Sequence, residues 1–197
     1  MAQDAAASEK AASLTSLQQS ALELFASQGF EGTPMSQIAK KTGIRKSSIY
    51  AHFESKNSLY LSLVPPTLDR ERRLIAGLLS PERALVSMRA YLEDIIGRQD
   101  EDPPFLRFFL RTVYTPPACL YAPIGEQAGV FYDWLRGHLA QVLASPSRPA
   151  PLVHRLADAY VGLMDSIHVM TFFRPALAIV RLDALWPMFA DFLAKAG

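Results

Sequence analysis

Apolar residues recur at intervals of three and four along most of the chain, and no stretch alternates apolar and polar positions long enough to make a strand. The pattern predicts an all-α fold. A first helix from about Leu14 to Gln28 puts Leu17, Ala21, Leu24 and Phe25 on one face, ahead of an alanine-rich start that either frays or extends it. A short stripe of Met35, Ile38 and Ala39 follows, then Ile49 and Phe53, with Gly43 and Ile44 between. A fourth helix opens near Ser55 and meets Pro65 and Pro66, which predict a kink or break near Val64. Ser80 and Pro81 then start a helix to about Gln99, with Leu85, Met88, Leu92 and Ile95 inward. FLRFFLRTVY, after Asp102, is apolar almost all round and reads as a helix buried on several sides. TPPACLYAPIGEQ, with three prolines and Gly125, reads as a loop or broken helix, and a stripe of Phe131, Trp134, Leu135, His138, Leu139 and Val142 comes after it.

Two long helices close the chain, about Ala150 to Phe173 and about Asp183 to Lys195. Each carries two apolar faces. Leu156, Tyr160, Leu163, Ile167 and Met170 form one on the first helix, and Val161, Met164, His168 and Phe172 the other. On the last, Leu182, Leu185, Trp186, Phe189 and Leu193 oppose Met188 and Phe192. One face can meet the chain's own core, and the other is satisfied by a twin, so a homodimer through these helices is expected.

The segment Thr33 to Phe53 has the form of two short helices joined by a tight turn. Thr33 is the expected cap, Pro34 suits the first helical position, Lys40 and Lys41 suit the last turn, and Gly43 suits a left-handed stop. A second helix, about Lys46 to His52, turns Ile49 inward. What remains outside is Arg45, Lys46, Ser47, Ser48, Tyr50 and His52, a run of hydrogen-bond donors suited to phosphates and base edges. The bland alternative is a helical hairpin with a solvated charged face.

Charge sharpens the choice. The chain of 197 residues has a net charge of only +1, yet Thr33 to Ser58 holds Lys40, Lys41, Arg45, Lys46 and Lys56 against Glu54, a local excess of four positive charges. Affinity for nucleic acid follows phosphates neutralised at the interface rather than whole-chain charge.

Leu17 to Leu59 resembles the DNA-binding domain of TetR-type transcriptional regulators, on Ala21, Leu24, Phe25, Gly29, Thr33, Ile38, Ala39, Gly43, Ile44, Lys46, Ile49, Tyr50, His52, Phe53, Ser55, Lys56 and Leu59. The chain departs from the usual pattern at Arg45, where a small capping residue is common, and at Ser47, where glycine is common. The resemblance implies a helix-turn-helix domain over residues 1–60, followed by an effector-binding and dimerisation domain over 61–197. It implies that Lys46, Ser48, Tyr50, His52 and Lys56 hold phosphates, that Thr33 belongs to the same DNA-contacting set, and that Arg45 and Ser47 face base edges. It also implies a homodimer through the last two helices, a palindromic DNA operator and a small effector that releases it.

An apolar effector needs a pocket with a few polar anchors. Phe105, Phe108, Phe109, Phe131, Trp134 and Met164 are the candidate walls, and Tyr91, Arg107, Arg111, His138, Asp165 and His168 the candidate anchors. Asp165 and His168, three apart on one helix, are half of a carboxylate–histidine metal site, but with no further ligands in view they read as a hydrogen-bonded buried pair. No metal or other cofactor is expected. The single cysteine, Cys119, cannot close an internal disulfide. No nucleophile motif or phosphate-binding glycine loop supports an enzyme. No apolar run approaches a bilayer span and the N-terminus lacks a hydrophobic signal segment, so a cytoplasmic protein with no membrane association is expected. The leading reading is a ligand-responsive repressor. The alternatives are an effector-independent activator and a helical small-molecule binding protein without DNA contact.

Overall fold

The computed structural model describes residues 2–101 and 103–195. Among them the fold is all-helical: α1 (Ala2–Gln28), α2 (Met35–Thr42), α3 (Lys46–Tyr50), α4 (Lys56–Leu78), α5 (Ala84–Glu101), α6 (Pro103–Tyr114), α7 (Tyr121–Leu143), α8 (Ala150–Phe173) and α9 (Ala178–Lys195), with three single-turn 3-10 segments. No helix among the described residues is long and apolar enough to cross a membrane. The chain groups into two compact units, Met1–Thr67 with Pro104–Gln127, and Leu68–Pro103 with Ala128–Gly197. This differs from a division at residue 60, since α6 is grouped with the helix-turn-helix.

In the first unit, α1 and α2 pack together and α2 meets α3. The core is aromatic. Phe25, Phe30 and Tyr60 pack with ring centroids 5.0 to 5.9 Å apart, and Phe108 from α6 approaches Tyr60 at 5.0 Å. Each such pair contributes roughly 0.5–1.5 kcal/mol beyond its buried area. The Tyr60 hydroxyl lies 3.1 Å from the Thr112 hydroxyl on α6. These contacts are why α6 belongs here, and sequence spacing could not reveal them.

Three local expectations change. Thr33 does not cap α2. Its hydroxyl donates to the carbonyls of Leu24 and Gly29, and Pro34 takes the extended cap position. Leaving α1's terminal carbonyls buried and unpaired costs more than an uncapped, partly solvated helix start. Pro65 and Pro66 do not break α4, which runs on to Leu78. The carbonyls that these prolines leave without backbone donors belong to Leu61 and Ser62, both only half-buried. The stretch read as a loop at 115–127 instead contains the start of α7: Pro123 falls in its first turn, where a missing N–H is harmless. Asp102, the expected start of the helix before it, lies outside the described residues.

The second unit is built on α5, α8 and α9, which pack on one another. Met88, Leu92 and Ile95 of α5, Leu156, Tyr160, Leu163 and Ile167 of α8, and Leu182, Trp186, Phe189 and Leu193 of α9 are buried, as their periodicity predicts, whereas Leu85, expected inward with them, is exposed in the first turn of α5. Tyr160 donates its hydroxyl to the Met88 carbonyl at 2.7 Å. α9 starts five residues earlier than expected, because Pro175 occupies a 3-10 turn (Pro175–Leu177) that feeds directly into it. α8 and α9 expose Val169, Phe173, Ile179, Val180, Met188 and Phe192, and the turn between them exposes Leu177.

Candidate nucleic-acid interface

The turn into α3 is set by Gly43, whose φ of 71° is the left-handed stop of α2. Ile49, completely buried, is the anchor of α3. With that one residue inward, Arg45, Lys46, Ser47, Ser48, Tyr50 and His52 all lie exposed. Arg45 occupies the cap position with extended backbone and makes no side-chain cap, so its guanidinium is directed by nothing in its own helix. Lys46 lies 5.7 Å from the Tyr50 ring, one turn on. α3 ends at Tyr50, two residues short of the expected end, and the His52 ring is on the surface rather than under the turn.

The supporting residues are satisfied internally. Thr33 is wholly buried and both its bonds go to α1 and its turn, which takes it off the contact face. Lys56 donates to the Phe30 carbonyl at 2.8 Å and stands 4.1 Å from the Phe30 ring. It therefore ties the start of α4 to the turn after α1. Lys41 pairs with Glu23 of α1, and that hydrogen bond holds the Glu23 carboxyl below its ordinary range. Glu23 lies outside the basic window read from the sequence, so the outward charge is smaller than the local count and centres on Lys40, Arg45 and Lys46. α4 itself begins with a reciprocal cap, in which Ser55 and Ser58 each accept from the other's backbone N–H.

The candidate effector residues are divided between the two units. Phe105, Phe108, Phe109 and Arg111 belong to the first unit, where all three rings are core and Arg111 donates to the Ala26 carbonyl at 2.9 Å. Tyr91, Phe131, Trp134, His138, Met164, Asp165 and His168 belong to the second. There Trp134 and His138 stack at 5.3 Å with rings 7° from parallel, and the Arg72 guanidinium sits 5.5 Å from the indole. Burial lowers the His138 pKa. Asp165 accepts from the Tyr132 hydroxyl at 3.0 Å, and His168 is buried in the field of Glu71 and Arg98.

Glu71 and Arg98 were not singled out by the sequence reading. Arg98 gives two hydrogen bonds to Glu71, at 2.7 and 2.8 Å, and Tyr91 gives a third at 2.7 Å. Burial alone would raise the Glu71 pKa, but the guanidinium holds it below the usual range. The signal was present: Glu71 sits on the stripe Leu68, Ile75 and Leu79, where a charge has no reason to be unless it is paired. It is masked by the mixed-charge run DRERR, which has the composition of a solvated helical face. Among the described residues no cluster of metal-ligating side chains is found.

Residues 18–63 match the family described as bacterial regulatory proteins, tetR family. The negative transcriptional regulator IcaR of the biofilm operon icaADBC of Staphylococcus aureus is 40% identical over 55 residues, 28% of this chain and 30% of that protein. The HTH-type transcriptional regulator RutR of Escherichia coli K12 is 35% identical over 131 residues, 62% of each chain. The chain thus aligns with under a third of IcaR and under two thirds of RutR. A TetR transcriptional regulator from Chloroflexus aurantiacus has the same fold, with a TM-score of 0.70 over 95% of this chain and 96% of that one at 20% identity. The helix-turn-helix segment is thus that of the tetR family of bacterial regulatory proteins, and the chain as a whole has the fold of TetR regulators.

Proposed function

We infer that the protein is a homodimeric transcriptional repressor that binds a palindromic operator through α3 and lets go of it when a small, largely apolar effector binds the second unit. The observation that carries this reading is α3 with its flanks: one buried isoleucine and, between Arg45 and His52, six outward side chains that all carry hydrogen-bond donors and none of which is acidic. In this role Lys46, Ser48, Tyr50 and His52 position the helix on phosphates, and Arg45 and Ser47 read base edges. Lys56 has donors left beyond Phe30 for one phosphate more.

Dimerisation is supported by the exposed apolar residues of α8 and α9, which a monomer would leave in water. A twofold dimer places two copies of α3 in successive major grooves, about 34–36 Å apart or a comparable spacing. The effector shifts the balance between two arrangements of the dimer by binding one of them better. A regulator of this kind works in the cytoplasm, where its operator is.

The test is binding of the purified protein to DNA from upstream of its own gene, at two salt concentrations, against a random duplex. Tight, salt-sensitive and sequence-selective binding is expected. Equal weak binding to both duplexes overturns the reading. Sedimentation at micromolar concentration should give a dimer; a monomer overturns that part.

A further inference from the structure

At one end of the second unit, the start of α5, the end of α7, the turn before α8 and the end of α9 border an open cleft of about 450 Å3. Its apolar wall is aliphatic, with Leu85 and Val86 of α5, Val142 of α7 and Leu193 of α9. Leu85 and Val86 are left in water, 36% and 57% exposed, although the period of α5 would turn Leu85 inward. No aromatic ring is on the wall among the described residues, so the cleft suits a chain rather than a stacked ring.

The charge of the wall is positive. Arg83 and Arg148 stand there against a single acid, Glu82, which already accepts from the Ser80 hydroxyl. Arg83 is exposed, and its guanidinium has no partner among the described residues. Arg148 is half-buried and uses its fork unevenly. Nη1 donates to the Leu143 carbonyl at 2.9 Å, Nη2 reaches the Leu193 carbonyl only at 3.4 Å, and Nε, shielded from water, has no acceptor among the described residues. The underused side of the guanidinium is therefore its Nε–Nη2 edge, whose two parallel N–H groups match the two oxygens of a carboxylate. A second cleft, of about 340 Å3 and with His154 on its wall, borders the same arginine, so the side chain has room to turn.

We propose that this cleft binds an aliphatic carboxylate, its chain on Leu85, Val86 and Val142, its head on the Nε–Nη2 edge of Arg148, and Arg83 closing over it from the rim. A carboxylate is a stronger acceptor than a carbonyl at 3.4 Å, so the bond given up is the one to Leu193, and the last turns of α9 lose a tie to the turn before α8. Placing an effector here rests on the regulatory reading above, but binding is measured without DNA, so the two fail separately.

The measurement is isothermal titration of the protein with sodium octanoate at millimolar concentration, against octylammonium chloride and sodium chloride at equal ionic strength. One octanoate per chain is expected, with no saturable signal from the ammonium. Arg83→Ala, at an exposed position, should weaken octanoate about threefold to fivefold, the scale of a partly exposed ion pair. Arg148→Lys should weaken it about tenfold, since a lysine cannot hold a carboxylate with a fork. Val86→Asp, also exposed, sets a carboxylate of the chain's own on the wall and should abolish binding; Val130→Asp, exposed on α7 and outside the cleft, should leave it unchanged. Should Arg148→Lys fail to fold, the two exposed α5-side variants, Arg83→Ala and Val86→Asp, carry the test. No saturable binding to the wild type, undiminished binding to Val86→Asp, or octylammonium bound as tightly as octanoate overturns the proposal. Octanoate held by the cleft with operator affinity unchanged overturns its use as an effector site.

Discussion

Arg111 of α6 donates its Nε–H to the carbonyl of Ala26, in the last turn of α1, at 2.9 Å. A cation thereby sits on the negative end of the helix that precedes the helix-turn-helix, where it is favoured by the helix dipole as well as by the hydrogen bond. Thr33 takes the Leu24 carbonyl and Lys56 the Phe30 carbonyl, so the exit from α1 is held by three separate donors. Arg111→Gln is expected to destabilise the protein by about 1–2 kcal/mol, the scale of a partly solvated charge-assisted hydrogen bond. Urea unfolding of the two proteins checks it.

Gly29 and Gly43 both have positive φ, at 74° and 71°. A Cβ at Gly43 would meet nothing within 4 Å, whereas one at Gly29 would lie 3.4 Å from an Arg111 nitrogen. Gly43→Ala should therefore cost about 1–2 kcal/mol from backbone strain alone. Gly29→Ala should cost at least as much, and combining it with Arg111→Gln should give less than the sum of the two. Strict additivity in the double-mutant cycle would show that the two residues are independent.

Lys46→Ala should reduce the steepness of the salt dependence of operator binding by about one unit and weaken all sequences alike. Lys41→Ala should change it less, because Glu23 already neutralises that ammonium. Arg45→Ala should relax selectivity at one base position, losing about 1–3 kcal/mol of discrimination there. Unchanged selectivity across a substituted operator series would remove Arg45 from the reading.

His168 makes stability depend on pH. Its folded pKa is lowered from 6.5 to about 4 by burial. Between those values the unfolded chain takes up a proton that the folded chain refuses, so unfolding is favoured as the pH falls. Stability from this group is complete above about pH 6.5 and declines towards pH 4. Glu71, whose folded pKa is also lowered, extends the loss to more acid conditions. His168→Gln should flatten the slope between pH 6.5 and 4 in urea midpoints; an unchanged slope would place the titration elsewhere.

On the last helix the exposed and buried apolar faces were legible from period alone, with Met188 and Phe192 out and Trp186, Phe189 and Leu193 in; on α8 the second face was not, since Met164 and His168 are buried as well and Val169 and Phe173 are the exposed residues. The α2 stop at Gly43, the inward turn of Ile49 and the outward donors of α3 were legible for the same reason, because one residue's conformation or one turn's spacing decides each. Local chemistry therefore determined the helices, most of their faces and the family segment. What only the tertiary structure decided were the matters that depend on which helix a face meets. Pro65 does not break α4 and Pro123 lies inside α7, because the cost of a proline depends on whether the freed carbonyl reaches water and on its place in the helix. Arg111 meets the end of α1 and Phe108 meets Tyr60, and Glu71 and Arg98, far apart in sequence on two different helices, found each other in the core. A buried charge is stable only beside its partner, and a partner 27 residues away leaves no periodic trace in either helix that would identify it.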